Sequence, residues 1–206
     1  MDVRFCDEQD WGIGWIAAEP EFMQRCSHAL AVDGKVWLID VVDGKGVLES
    51  IRELGEPAGV VQLLGRHRRD CASLAKELGV PLHVTPFELV PGSPFQPLRI
   101  VRTRMWTEIA LWWPQRRVLV CGDALGTAPY YCAKRERLGV HPFLRFVPPQ
   151  RLGGLEPSHI LVGHGEGIHE RASAALDEAL ATSSRRIPTW AAHQTWARIR
   201  GLKLRR

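Results

Sequence analysis

Short apolar runs alternate with turn-forming polar clusters along this chain, and helical spacing interrupts them in three places. The stretch SHALAVDGKVWLIDVVDG carries two apolar runs around Asp33-Gly34, a dipeptide suited to a tight hairpin turn, so strands are expected near 27–32 and 36–41. Val47, Leu48, Ile51 and Leu54 follow at helical spacing, closed by Gly55. GVVQLL reads as a short buried strand, and Asp70 is placed to cap the next helix, CASLAKELG, with Leu74 and Leu78 four apart and Gly79 at its end. After a connection rich in proline (Pro86, Pro91, Pro94, Pro97) come three strand-like runs, LRIVRT, EIALWW and RVLVCGD, the last two joined across Pro114-Gln115. Residues 124–157 show little periodicity and read as loop with a short helix. HILVGHG is a further buried strand, and IHERASAALDEALA is amphipathic through Ile168, Ala172, Ala175, Leu176 and Leu180. No internal repeat occurs. Strands separated by helices, with hairpins in both halves, predict a mixed α/β layered domain.

Composition narrows the class. A chain of 206 residues with 45% hydrophobic and 24% charged residues is expected to form one sizeable core. The eight tryptophans fit a well-packed interior or aromatic grooves. Cys6, Cys26, Cys71, Cys121 and Cys132 are odd in number, widely spaced and form no C-x-x-C pair, which argues against a disulfide framework or a cysteine-built zinc knuckle. No run of about 18 apolar residues occurs, and MDVRFCDEQDW has acids where a signal peptide needs a basic start, so a cytoplasmic protein with no membrane partner is expected. The last 22 residues hold seven Lys or Arg and no acid within a net charge of +4. Residues 183–206 are therefore read as a basic, helical tail beyond a domain spanning 1–182; it can face solvent, nucleic acid or an acidic partner.

Polar clusters sit where the strands end: Arg66 to Cys71, Gly122-Asp123 and Gly163-His164-Gly165. Strand ends are where sites collect in layered α/β folds. In this order the clusters resemble the metallo-β-lactamase superfamily, from about Ser27 to Leu180. There an apolar strand runs into H-x-H-x-D-H, a later histidine precedes a G-D turn, and a last histidine lies in a G-H turn before the final helix. Laid on without a gap, the first motif becomes Arg66-His67-Arg68-Arg69-Asp70-Cys71, the later histidine falls on Arg104, and Asp123 and His164 match outright. The resemblance implies a four-layer αββα sandwich (α/β, or α+β, in class) whose loops hold two zinc ions, one of them activating water for hydrolysis. In the family, histidines at the positions of Arg66, Arg68 and Arg104 hold the first metal. Arginine stays protonated and is no ordinary ligand, so that site is expected to be lost. The second site carries over as Asp70, Cys71, Asp123 and His164, all competent zinc ligands.

Two outcomes follow for the site itself, beside a third reading in which its arginines and the basic tail form one nucleic-acid-binding surface. Arg66, Arg68 and Arg104 can replace the missing cation, holding the loops without metal or binding a small anionic ligand, as in a non-catalytic member of the superfamily with a structural or partner role. Alternatively, one zinc sits on Asp70, Cys71, Asp123 and His164, and the protein is a mononuclear metal-dependent hydrolase. The expected cofactor is thus none or one zinc ion. Cys71, next to cations, is also a candidate reactive thiol. His67 falls between ligand positions in the ungapped register, and a slip of one residue would recruit it. Asp40 is expected to brace a loop, and the glycines of GHGEG to form a tight turn. His28, His83, His141, His159 and His169 read as structural. Loops 84–97 and 124–157 are expected to set substrate class, and Trp190 and Trp196 to pack against a neighbouring subunit or over the site.

Overall fold

The computed structural model describes residues 1–18 and 23–203. Strands β1 (Val3–Gln9), β2 (Gly12–Ala17), β3 (Cys26–Val32), β4 (Lys35–Ile39), β5 (Glu56–Gln62) and β6 (Leu82–Val84) form one sheet in chain order. A second sheet has the order β12 (His159–Val162), β9 (Val118–Cys121), β8 (Thr107–Trp113), β7 (Gln96–Arg102), and β10 (Leu125–Gly126) pairs with β11 (Gly139–Val140). The helices are α1 (Val47–Leu54), α2 (Cys71–Leu78), α3 (Ala172–Thr182) and α4 (Ile187–Lys203).

The layering follows from the alternation of side chains along each strand. Trp37, Ile39, Val61 and Leu63 of the first sheet meet Ile109, Leu111, Trp113, Val118, Val120 and Leu161 of the second in one buried cluster between the sheets. Their alternate neighbours Val36, Leu38 and Val60 face outward and pack with Val47 and Ile51 of α1 and Leu74 of α2. Ala110, Leu119, Cys121, Ile160 and Val162 face outward on the other side and pack with Ala172, Ala175, Leu176 and Leu180 of α3. The result is the expected αββα sandwich.

Several elements depart from the sequence expectation. The N-terminal hairpin β1–β2 and the short strand β6 carry too weak a periodicity to be anticipated. Within 124–157 the loop contains the β10–β11 pair and two 3-10 turns, Pro142–Leu144 and Gln150–Leu152. Helix α3 starts at Ala172 because Arg171 takes the left-handed conformation, φ 51°. Asp70 stands at the N-cap of α2, but its side chain does not cap that helix; Oδ2 accepts instead from the Asp43 N–H at 2.9 Å. Of the basic tail, Trp190 on α4 donates from Nε1 to the Tyr130 carbonyl at 2.9 Å. The side chains of Trp196 and of the basic residues from Arg198 onward are not among those described. Among the described residues no helix is long and apolar enough to cross a membrane.

Candidate metal centre

The loops after β4, β5, β9 and β12 converge at one end of the sandwich. Parallel pairing of β4 with β5 and of β12 with β9 brings their carboxyl ends together, which collects residues far apart in sequence. Asp40 follows β4, the 63–71 loop follows β5, Asp123 follows β9, and His164 follows β12.

Three side chains meet there. Asp123 Oδ1 lies 2.8 Å from His67 Nε2 and 2.9 Å from His164 Nε2, and the two Nε2 atoms are 3.4 Å apart. All three residues are buried. The outer nitrogen of each ring is already committed: His67 Nδ1 to Asp40 Oδ2 at 2.7 Å, His164 Nδ1 to the Met23 carbonyl at 2.8 Å. With Nδ1 donating on each ring, both Nε2 lone pairs point at one another and at a carboxylate oxygen, an arrangement that needs a shared cation, whether proton or metal.

Protonation agrees with that geometry. Burial and the nearby Arg69 cation push the His67 imidazole down, but the Asp40 and Asp123 carboxylates outweigh them and the net displacement is upward. Burial pushes His164 down, against the pull of Asp123. Burial would raise the Asp123 carboxyl, yet hydrogen bonds with His164 and His67 hold it far below the usual carboxylate range.

A second layer of residues fixes this group. Glu108 on β8 is fully buried; Oε1 accepts from the N–H groups of Asp123 at 2.9 Å and Ala124 at 2.8 Å, and Oε2 accepts from Trp106 Nε1 at 2.8 Å. Burial, aided by the Asp123 charge, pushes its carboxyl up to about 7. Tyr131 stacks on His164 with ring centroids 5.4 Å apart, and its hydroxyl lies 3.4 Å from Asp123 Oδ1. Tyr131 is held in turn by the fully buried Arg145, whose Nη2 donates to the Tyr131 carbonyl at 2.6 Å and to Glu136 at 2.7 Å. Arg69, in the left-handed region at φ 41°, donates to the carbonyls of Cys26, Asp40 and Gly163, tying together the ends of three strands.

The residues singled out in the sequence distribute unevenly. Asp123 and His164 come together as expected, but their companion is His67. No metal-sized group among the described residues includes Asp70 or Cys71. Cys71 is fully buried at the start of α2, with Sγ toward the carbonyls of Val41 and His67, and burial raises its thiol to about 12, so it is not an activated nucleophile. Arg66 Nη2 donates to Asp123 Oδ2 at 2.8 Å while its guanidinium lies 4.5 Å over the Trp106 ring. Arg68 and Arg104 are exposed and make no ion pair among the described residues. Asp40 accepts from the Leu63 N–H at 2.8 Å, the expected brace, and also orients His67. His141 stacks edge-on against Trp106 and Tyr131 beside the centre, and burial lowers its imidazole to about 4. Glu108, Tyr131 and His141 carried no sequence signal that marked them as part of a site.

No family model and no curated protein matches the sequence. Among solved structures, a metallo-β-lactamase from Erythrobacter litoralis is similar at 9% identity, covering 89% of this chain and 93% of that one, with a TM-score of 0.62. The DIM-1 metallo-β-lactamase exposed to ceftazidime is similar at 12% identity, 90% and 98% coverage and a TM-score of 0.60. The BLEG-1 B3 metallo-β-lactamase is similar at 16% identity, 74% and 91% coverage and a TM-score of 0.53. With its layers, its strand-end loops and these likenesses, the chain has the metallo-β-lactamase fold.

Proposed function

We propose that this protein is a mononuclear metal-dependent hydrolase of an anionic substrate, in which the first zinc site of the fold is gone and one zinc ion is held by His67, Asp123 and His164. The observation that carries the reading is the convergence of two Nε2 atoms and one carboxylate oxygen within 3.4 Å, with both outer nitrogens fixed by hydrogen bonds. Three protein ligands and an open position are the donor set of catalytic rather than structural zinc. When bound, the ion supplies a Lewis acid and lowers the pKa of a coordinated water.

The remaining work belongs to the chain itself. Asp40 and the Met23 carbonyl hold the two imidazoles in one tautomer and one orientation. Glu108 grips the backbone of the Asp123 turn, so the carboxylate points at the histidines without spending its own oxygens. Arg66 sits at the mouth, about half exposed at 46%, pairing with the far oxygen of Asp123 and backed by the Trp106 face. It is the natural receptor for a substrate carboxylate or phosphate, with exposed Arg68 and Arg104 adding positive field. His141, neutral at ordinary pH, and Tyr131 line the centre with aromatic surface that excludes water.

The Arg66–Asp123 ion pair favours a second reading, a metal-free anion-binding protein in which the guanidinium stands in for the lost cation. Zinc content separates the two. After loading with zinc and desalting, His67→Ala and Asp123→Ala are expected to hold about one ion per chain less than the wild type, while Asp70→Ala and Cys71→Ala match it. Equal zinc in the wild type and His67→Ala would refute the hydrolase centre and leave the anion-binding reading. Hydrolysis of ester, thioester and phosphodiester probes by the loaded wild type, lost in His67→Ala, is the expected companion result.

A further inference from the structure

A second group of ligand-type side chains lies on the inner face of the first sheet, apart from the site above. Register explains how it forms. Cys6 pairs with Gly14 across β1 and β2, and Gly14 pairs with His28 across β2 and β3, so Cys6, Gly14 and His28 stand in one line across the strands. Cys26 lies two residues before His28 and shares its face. Asp7, which a regular strand would turn to the opposite face, joins them because the β1–β2 register breaks after Cys6 and Asp7 takes φ 53°.

The atoms meet as metal ligands do. Cys6 Sγ is 3.8 Å from Cys26 Sγ and 3.6 Å from Asp7 Oδ2, and one ligand atom from each of these residues lies within 4.8 Å of the others. Zinc–sulfur and zinc–oxygen bonds of about 2.3 and 2.1 Å set tetrahedral edges of roughly 3.8 Å between two sulfurs and 3.6 Å between sulfur and oxygen. His28 Nδ1 is 4.0 Å from Asp7 Oδ2, buried, and without a hydrogen-bond partner. A Cβ on Gly14 would stand 3.0 Å from Asp7 Oδ2, 3.0 Å from His28 Nδ1 and 3.2 Å from Cys6 Sγ, so these three atoms border one small space that only the missing side chain keeps open. His28 is 1% exposed and Cys26 0%.

Each orientable ligand is also held from behind. His28 Nε2 is engaged by the Val162 carbonyl at 3.1 Å, which leaves Nδ1 as the lone-pair nitrogen. Asp7 Oδ1 accepts from the Gly167 N–H at 2.8 Å and lies 3.0 Å from His169 Nε2, which turns Oδ2 toward Cys6 Sγ and His28 Nδ1.

We infer that Cys6, Asp7 and Cys26, which already meet, are joined by His28 on metal binding to form a four-ligand structural zinc site, distinct from the His67–Asp123–His164 centre. It would clamp the N-terminal strands to the loop that carries His164, since Cys26 N donates to the Gly163 carbonyl at 2.9 Å and Asp7 holds Gly167. Four protein ligands with no open position mark it as structural.

Cobalt tests it, because thiolate-to-cobalt charge transfer in the near ultraviolet reports cysteine ligation and cannot come from the histidine–aspartate centre. The full chain, stripped with chelator and kept under a thiol-free reductant, is titrated with Co2+. The band is expected in the wild type and in the Asp123→Ala, His164→Ala double variant. It is expected to disappear in Cys26→Ser, and in Gly14→Ala cobalt binding should weaken at least about tenfold although every ligand remains. Circular dichroism confirms that the variants compared are folded. Absence of the band in the folded wild type, its survival in Cys26→Ser, or a Cys6–Cys26 disulfide that persists under reductant would overturn the inference.

Discussion

Replacing Arg69 by methionine tests how the end of the sandwich is held together. The guanidinium donates to Cys26 O at 2.5 Å, Asp40 O at 2.7 Å and Gly163 O at 2.9 Å, and methionine keeps the stem while removing every donor. Hydrogen bonds to a charged group contribute about 1.5–3 kcal/mol each, so a simple sum would far exceed what is realistic. Two carbonyls keep another partner: Asp40 O still accepts from Ser27 Oγ at 2.9 Å, and Gly163 O from the Cys26 N–H at 2.9 Å. Removing the charge also removes its desolvation cost. The net loss is expected at about 2–4 kcal/mol, a large share of the roughly 5–15 kcal/mol that stabilises a domain. Urea denaturation of the metal-stripped protein measures it, with exposed Arg68→Met as a control expected within about 0.5 kcal/mol of wild type. A loss below about 1 kcal/mol for Arg69→Met, or one equal to the control, would show that the three carbonyls do not depend on this cation. Because Gly163 precedes His164, zinc affinity at the centre is expected to fall in the same variant.

Other consequences can be checked separately. Glu108→Gln turns one end of a three-donor acceptor into an N–H2 that must face a backbone or indole N–H, and is expected to cost about 1–3 kcal/mol in thermal or denaturant melts. A variant as stable as wild type would mean that Glu108 does not act as the acceptor its geometry shows. His141 titrates at about 4 in the folded chain against 6.5 unfolded, so its contribution is present above pH 6.5 and is lost as pH falls toward about 4. His141→Gln should therefore show a shallower decline of stability over that window, and identical slopes would contradict the burial of a neutral ring. Gly165 has φ +95°, and a Cβ there would lie 2.1 Å from Thr127 Oγ1 and 2.5 Å from Ala128 N. Gly165→Ala is thus expected to lower stability by at least about 2 kcal/mol and to weaken zinc binding at the adjacent His164; a melting temperature equal to wild type would refute the strain.

Much of the layered architecture is legible in the chain's local pattern. The alternation in VWLID and VLVC states directly which side chains face the partner sheet and which face a helix, because a pleated strand has a period of two. Helices α1, α2 and α3 announced themselves by apolar spacing, and Gly122-Asp123 and Gly163-His164 by turn chemistry at strand ends. These are local signals, written within a few residues of the feature they specify.

What the sequence left open depends on contacts between distant segments. His67, rather than Asp70 or Cys71, reaches Asp123 and His164 because the 63–71 loop is bent by Arg69 at φ 41° and drawn to the carbonyls of three strand ends. No pattern within that loop reveals such a bend. Glu108 looked like one polar residue in an apolar strand, and only the folded turn above it supplies the N–H groups that make it an anchor. Cys6 and Cys26, twenty residues apart with no motif between them, meet because antiparallel register across β2 pairs Cys6 with Gly14 and Cys26 with Ile16, two positions along on the same face. The layers are encoded locally, since burial periodicity is a property of each strand and helix alone. Which polar atoms face one another is settled only on folding, since that depends on register, loop curvature and the few carbonyls and carboxylates that satisfy buried charge.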